Sequence, residues 1–285
     1  MSAVVELLDT FVTEVSTEAA TAEIAITVAA IAAVVLVGSL LANRYQLTRA
    51  RPEYWRIVRA VALAIVFATL AVQVARSGWL TGADAVTLEW FRTHRNPALT
   101  TVALVITDAG SPVGLAVVGV LLAGVAGWRL RTSGAAVLVL GVVAVSFGAS
   151  TLTKLAVARA RPPAAVALVS ETDFSFPSGH VTGTTALAGA VLLAYLSGRP
   201  SIVRRVAAVL LSSTVVVLVA ATRLYLGVHW LTDVIGGALL GVTMVLFGAV
   251  IAPRLLSRAV RPAAAAAAVG HDDAIPTHGM SRAAT

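Results

Sequence analysis

Seven apolar runs constrain this chain more than any other feature. They lie at about 24–42, 57–75, 112–128, 135–153, 181–197, 206–222 and 232–251. Each is long enough, or nearly so, to cross a hydrocarbon core of roughly 30 Å. The alternative is a large soluble helical core. That needs a charged surface, and the chain is 58% hydrophobic with only 12% charged residues, too few to clothe so much apolar area in water. The expected fold is an all-α integral membrane protein, a helical bundle of about seven spans.

The arginines orient the bundle. Thirteen fall in the loops at one end, in the groups Arg44 to Arg56, Arg129 and Arg131, Arg199 to Arg205, and the tail from Arg254. Seven cations fall at the other end, namely Arg76, Arg92, Arg95, Lys154, Arg159, Arg161 and Arg223. Arg59 starts the second span and can snorkel to the more basic surface. Loops richer in Lys and Arg stay in the cytoplasm, so the expected topology is N-terminus outside and C-terminus inside. The first 23 residues agree, carrying five acidic residues and no cation. They also lack the basic start of a secretory signal. A net charge of +7 could suit nucleic acid, but these arginines flank spans and form no basic stripe. No nucleic-acid partner is expected.

The chain divides into an acidic extracytoplasmic lead-in (1–23), a first transmembrane helix with a basic cytoplasmic loop (24–56), a membrane core (57–251) and a cytoplasmic tail (252–285) expected to be disordered. Residues 84–95 read as an interfacial helix, with Val86, Trp90 and Phe91 opposite Glu89, Arg92 and Arg95. Asp108 to Pro112 reads as a turn that starts the third span, Pro112 near a first helical position. The absence of cysteine removes disulfide and thiolate chemistry.

Three polar segments interrupt this apolar background, and the topology places all three on the outer face. The first holds the sole lysine, Lys154, and Arg161-Pro162 seven residues on. On a helix the two cations would share one face, two turns apart, offering an ammonium and a guanidinium to phosphate oxygens. They could equally be two cations snorkelling at a span's end. The second is Pro177-Ser178-Gly179-His180, running into the fifth span. Ser178 suits an N-cap, and free N–H groups at a helix start bind anions. Gly179 lets an oxygen approach closely, and His180 stands where it can give a proton. An ordinary capped helix with a surface histidine would read the same. The third runs from Thr222-Arg223 through Gly227 to His229 and Asp233. Gly227 suits a turn. Spacing i, i+4 on a helix would let Asp233 fix one imidazole nitrogen of His229 and leave the other as a nucleophile. A His–Asp pair that merely ties down the last helix is the alternative.

Together the segments resemble the three-part signature of the type 2 phosphatidic acid phosphatase superfamily, in its membrane lipid phosphatase branch. Lys154…Arg161-Pro162 matches K-x6-R-P, Pro177-Ser178-Gly179-His180 matches P-S-G-H, and Thr222-Arg223…His229…Asp233 matches S-R-x5-H-x3-D with Thr222 in place of Ser. The signature spans about 80 residues and is specific only as a compound pattern. The family's membrane members usually have six spans. The resemblance thus implies a lipid phosphatase core over 57–251, with the 24–42 helix as an N-terminal addition.

The resemblance implies a two-step phosphoryl transfer. His229 attacks phosphorus, Asp233 orients it, and His180 protonates the leaving oxygen. Lys154, Arg161, Arg223, Ser178 and Gly179 hold the other phosphate oxygens. Three cations and a helix N-terminus can stabilise that charge, so no metal or other cofactor is expected. His271, Asp272, Asp273 and His278 read as a solvated tail and not as a metal site. The expected substrate is a lipid phosphate drawn from the surrounding membrane lipids: a polyprenyl diphosphate, phosphatidic acid, phosphatidylglycerol phosphate or a polyprenyl-linked sugar phosphate. A phosphotransferase or a non-enzymatic lipid-phosphate binder or transporter would use the same site. A soluble haloperoxidase of the same superfamily would not need the spans.

Overall fold

The computed structural model describes residues 22–44 and 52–257. Among them are nine α-helices and no strand: α1 (Ala22–Arg44), α2 (Pro52–Ala75), α3 (Asp84–Thr93), α4 (Pro97–Ala109), α5 (Pro112–Leu130), α6 (Ser133–Val157), α7 (Gly179–Ser197), α8 (Ile202–Tyr225) and α9 (Leu231–Leu256). All but α3 and α4 are long and apolar enough to cross a membrane, and they coincide with the seven runs in the sequence. Large apolar side chains such as Val34, Val113, Leu152 and Val203 face outward along them. Lipid can solvate that surface, and a helix satisfies its own backbone polar groups there. The protein is a multi-pass, all-helical membrane protein.

The long helix α9 is the hub, packed against α7, α2 and α6. Small residues permit the close approach. A methyl group on Gly237 would lie 2.7 Å from the Ser178 carbonyl, and one on Gly241 would lie 2.6 Å from Thr185 Cβ. The apolar core of this contact joins Leu138, Val142, Ala186, Ala190 and Val245. The helix outruns the expected span, reaching Leu256 instead of 251. It passes through Pro253, which cannot donate to the Ala249 carbonyl four residues back. Arg56 Nη1 donates to that carbonyl at 2.7 Å instead. Most of the expected tail, and the lead-in up to residue 21, lie outside the described residues.

Spans alternate in direction, so the starts of α5, α7 and α9 and the ends of α2, α6 and α8 share one end of the bundle. Helix α3 caps that end, shorter by two residues than the expected helix over 84–95. Ser111 caps α5 through the Gly114 N–H at 3.1 Å, with Pro112 next in line. Helix α4 was not expected. Its 13 residues are too few to register as a span. It lies along the end of α8, where the Tyr225 hydroxyl bonds the backbone of Asn96 on both its N–H and C=O sides, each at 2.9 Å.

Candidate active site

Helix α6 delivers Lys154 and then stops. Ala158 takes a left-handed conformation (φ 48°) and closes α6 through the Lys154 carbonyl at 2.9 Å. Arg161 is therefore not on the same helix face as Lys154, and the helical argument for that pair fails. They meet by another route. The segment 158–178 folds back over the bundle end, held by Ser175 N–H to Arg159 O (2.9 Å) and Leu168 N–H to Leu226 O (2.8 Å). Both cations then reach Asp173 in this segment, Lys154 at 3.1 Å and Arg161 through a charged hydrogen bond.

Helix α7 begins at Gly179, and Ser178 holds the N-cap position. The Ser178 hydroxyl does not cap. It is buried without a partner. A Cβ on Gly179 would sit 4.0 Å from Lys154 Cε, which sets the lysine beside this helix start. His180 follows, partly buried and without a hydrogen bond to any described residue, within electrostatic reach of Arg223, His229 and Arg161.

The third segment turns at Gly227 (φ +72°). A side chain there would be strained, and a Cβ would meet the Arg95 guanidinium at 2.6 Å. Arg223 is fully buried. It donates to Thr107 Oγ1 at 2.6 Å and to Glu171, and its Nε has no partner. His229 lies before α9, not on it. Asp233 is the third residue of α9 and accepts from the Trp230 N–H at 2.8 Å, half of a capping box. The His–Asp contact thus arises from the helix start. His229 Nδ1 lies 3.3 Å from Asp233 Oδ2, while Nε2 lies 3.2 Å from Arg161 Nη1. With Nδ1–H directed at the carboxylate, Nε2 carries its lone pair towards Arg161. Burial pushes the His229 imidazole down to about 4, against the pull of Asp233, so it is neutral at pH 7.

Further residues of the site carry no sequence signal. Arg159 donates to Asp233 Oδ1 at 2.7 Å, to Thr232 Oγ1 at 2.7 Å and to Asp84 Oδ2 at 2.6 Å. Ser175 donates to Asp233 Oδ2. Glu171 and Asp173 occupy Arg223, Arg161 and Lys154. Burial alone would lift the Asp173 carboxyl, but Arg161 and Lys154 hold it below the usual carboxylate value. Nothing in the sequence pairs these residues, which are up to 75 positions apart. Among the described residues no group of three His, Cys, Asp or Glu is placed to hold a metal ion.

Residues 135–256 match the family model described as the PAP2 superfamily, a stretch that contains all three segments. Over these residues the chain is similar to the PAP2 superfamily. Phosphatidylglycerophosphatase B of Bacillus subtilis (strain 168) is 37% identical over 87 residues, which is 30% of this chain and 42% of that protein. The match thus spans less than half of that relative's length. The crystal structure of a transmembrane PAP2 type phosphatidylglycerolphosphate phosphatase from Bacillus subtilis superposes with a TM-score of 0.59 at 26% identity, covering 71% of this chain and 98% of that one. Aquifex aeolicus LpxE aligns with a TM-score of 0.46 at 20% identity, over 59% of this chain and 95% of its own.

Proposed function

We propose that this protein is a membrane phosphatase that hydrolyses a lipid phosphate or diphosphate through a phosphohistidine at His229. One observation carries the reading: neutral His229 has Nδ1 against Asp233 and Nε2 beside Arg161. Nε2 attacks phosphorus and the bond to the lipid oxygen breaks. His180 protonates that oxygen. In the second step His180 takes a proton from water, the water oxygen bonds to phosphorus, and the P–N bond breaks. Lys154, Arg161, Arg223, the Ser178 hydroxyl and the Gly179 N–H hold the non-bridging oxygens. The partnerless Ser178 Oγ and Arg223 Nε are the donors such an anion would satisfy. This charge stabilisation calls for no metal ion.

The site belongs on the extracytoplasmic face. Of the seven cations at its end of the bundle, Lys154, Arg159, Arg161 and Arg223 serve the site. Arg95 binds the carbonyls of Tyr225 and Val166, and Arg92 pairs with Glu89. The contrast with the basic opposite end is sharper once these are set aside. Phosphatidylglycerol phosphate is the favoured substrate, from what the similar Bacillus proteins are called.

The test is phosphate release by purified protein in detergent with excess EDTA. Phosphatidylglycerol phosphate, phosphatidic acid and a polyprenyl diphosphate are compared. Release that is fastest from phosphatidylglycerol phosphate and insensitive to EDTA is expected. No release from any of the three, or release only with added Mg²⁺, contradicts the proposal.

A further inference from the structure

We infer that Arg159, held from behind by Asp84, is a positioning residue that clamps one oxygen of Asp233 so that the other faces His229. The inference rests on the reading of His229 as nucleophile, and adds residues outside the three-part signature.

The division of labour on Asp233 is explicit. Oδ2 takes the His229 side, accepting from Ser175 Oγ, from the Trp230 N–H at 2.8 Å and facing Nδ1 at 3.3 Å. Oδ1 takes Arg159 Nη1 at 2.7 Å. A carboxylate on a short stem can rotate about its last bond. Ser175 and the Trp230 N–H hold Oδ2, and a donor on Oδ1 is the second point that stops this rotation. Arg159 blocks it with a planar fork whose second arm is anchored on Asp84 at 2.6 Å. Asp84 is itself fixed from α9, by the Thr232 N–H at 2.9 Å and the Thr232 hydroxyl at 2.8 Å. The Trp230 ring lies 5.5 Å from the guanidinium carbon and covers the fork. Both carboxylates are buried, with side-chain exposures of 5% for Asp84 and 0% for Asp233. The carboxylates the fork binds are shielded from solvent, which favours a fixed geometry.

A purely structural Arg159 would serve only to neutralise two buried carboxylates. A positioning Arg159 controls which nitrogen of His229 carries the proton. The test reads that nitrogen directly. The protein is labelled with ¹⁵N-histidine in detergent, and the His229 signals are identified by their loss in His229→Ala. The parent should show Nδ1 protonated and Nε2 bare. Arg159→Gln and Asp84→Asn should each give a mixture of tautomers, and Arg159→Lys a smaller change, with the other histidine signals in place. Turnover should fall on the order of 10–100-fold, as when an orienting partner is lost. That loss should appear in kcat, whereas Arg161→Gln should raise KM. An unchanged His229 tautomer in both Arg159→Gln and Asp84→Asn overturns the inference. A shifted tautomer in a protein whose parent releases no lipid phosphate upholds the positioning role and removes the proposed function.

Discussion

Arg159 and Arg161 stand two residues apart and meet opposite kinds of partner. Arg159 is fixed between Asp84 and Asp233, whose side chains are 5% and 0% exposed. Arg161 reaches Asp173, whose side chain is 56% exposed. Lys154 shares Asp173, and Arg223 takes Glu171, 24% exposed. One cation is locked to carboxylates on the helices, the other three to carboxylates on a surface segment. On the proposed function, the difference separates scaffold from binding surface. A locked cation cannot receive a phosphate without stranding a buried carboxylate, whereas Asp173 can swing into water and yield its place.

Removing a partner on each side should break this symmetry unequally. Asp84→Ala leaves Arg159 half-paired in a buried setting, and breaking a buried pair in this way typically costs about 3–5 kcal/mol. A large drop in thermal stability in detergent is expected, along with lost turnover. A stability equal to the parent's would show that Arg159 is no more locked than Arg161.

The exposed side predicts a small effect of opposite sign. Asp173 is the exposed member of its pairs, while Lys154 and Arg161 are largely buried, so Asp173→Asn should cost less stability than Asp84→Ala. It should also lower KM for a lipid phosphate by about two- to fivefold, because the substrate no longer displaces a carboxylate. Steady-state kinetics in mixed micelles reads this. A raised KM would mean that Asp173 supports the site and does not compete for it.

How much was legible beforehand follows the range of each interaction. The seven spans were readable because hydrophobic length is a local property, and so were the Gly227 turn and the Ser111-Pro112 helix start. Helix α4 was missed because its apolar run is short. The helix on which Lys154 and Arg161 would share a face stops at Val157, since Ala158 turns left-handed with no glycine or proline signal. Arg159 and Arg161 look alike in sequence. Only the fold brings Asp84 across 75 residues to one of them and not the other. The His229–Asp233 contact was anticipated for the wrong reason, as neighbours on a helix, when it arises from the cap that begins α9.

The central claim is that His229 carries the phosphoryl group. Rapid quench after mixing with ³²P-labelled lipid phosphate should leave acid-labile label on the parent protein and none on His229→Ala, while His180→Ala still accepts label from a substrate with a good leaving group. Label on His229→Ala, or none on a parent that turns over normally, would contradict the account.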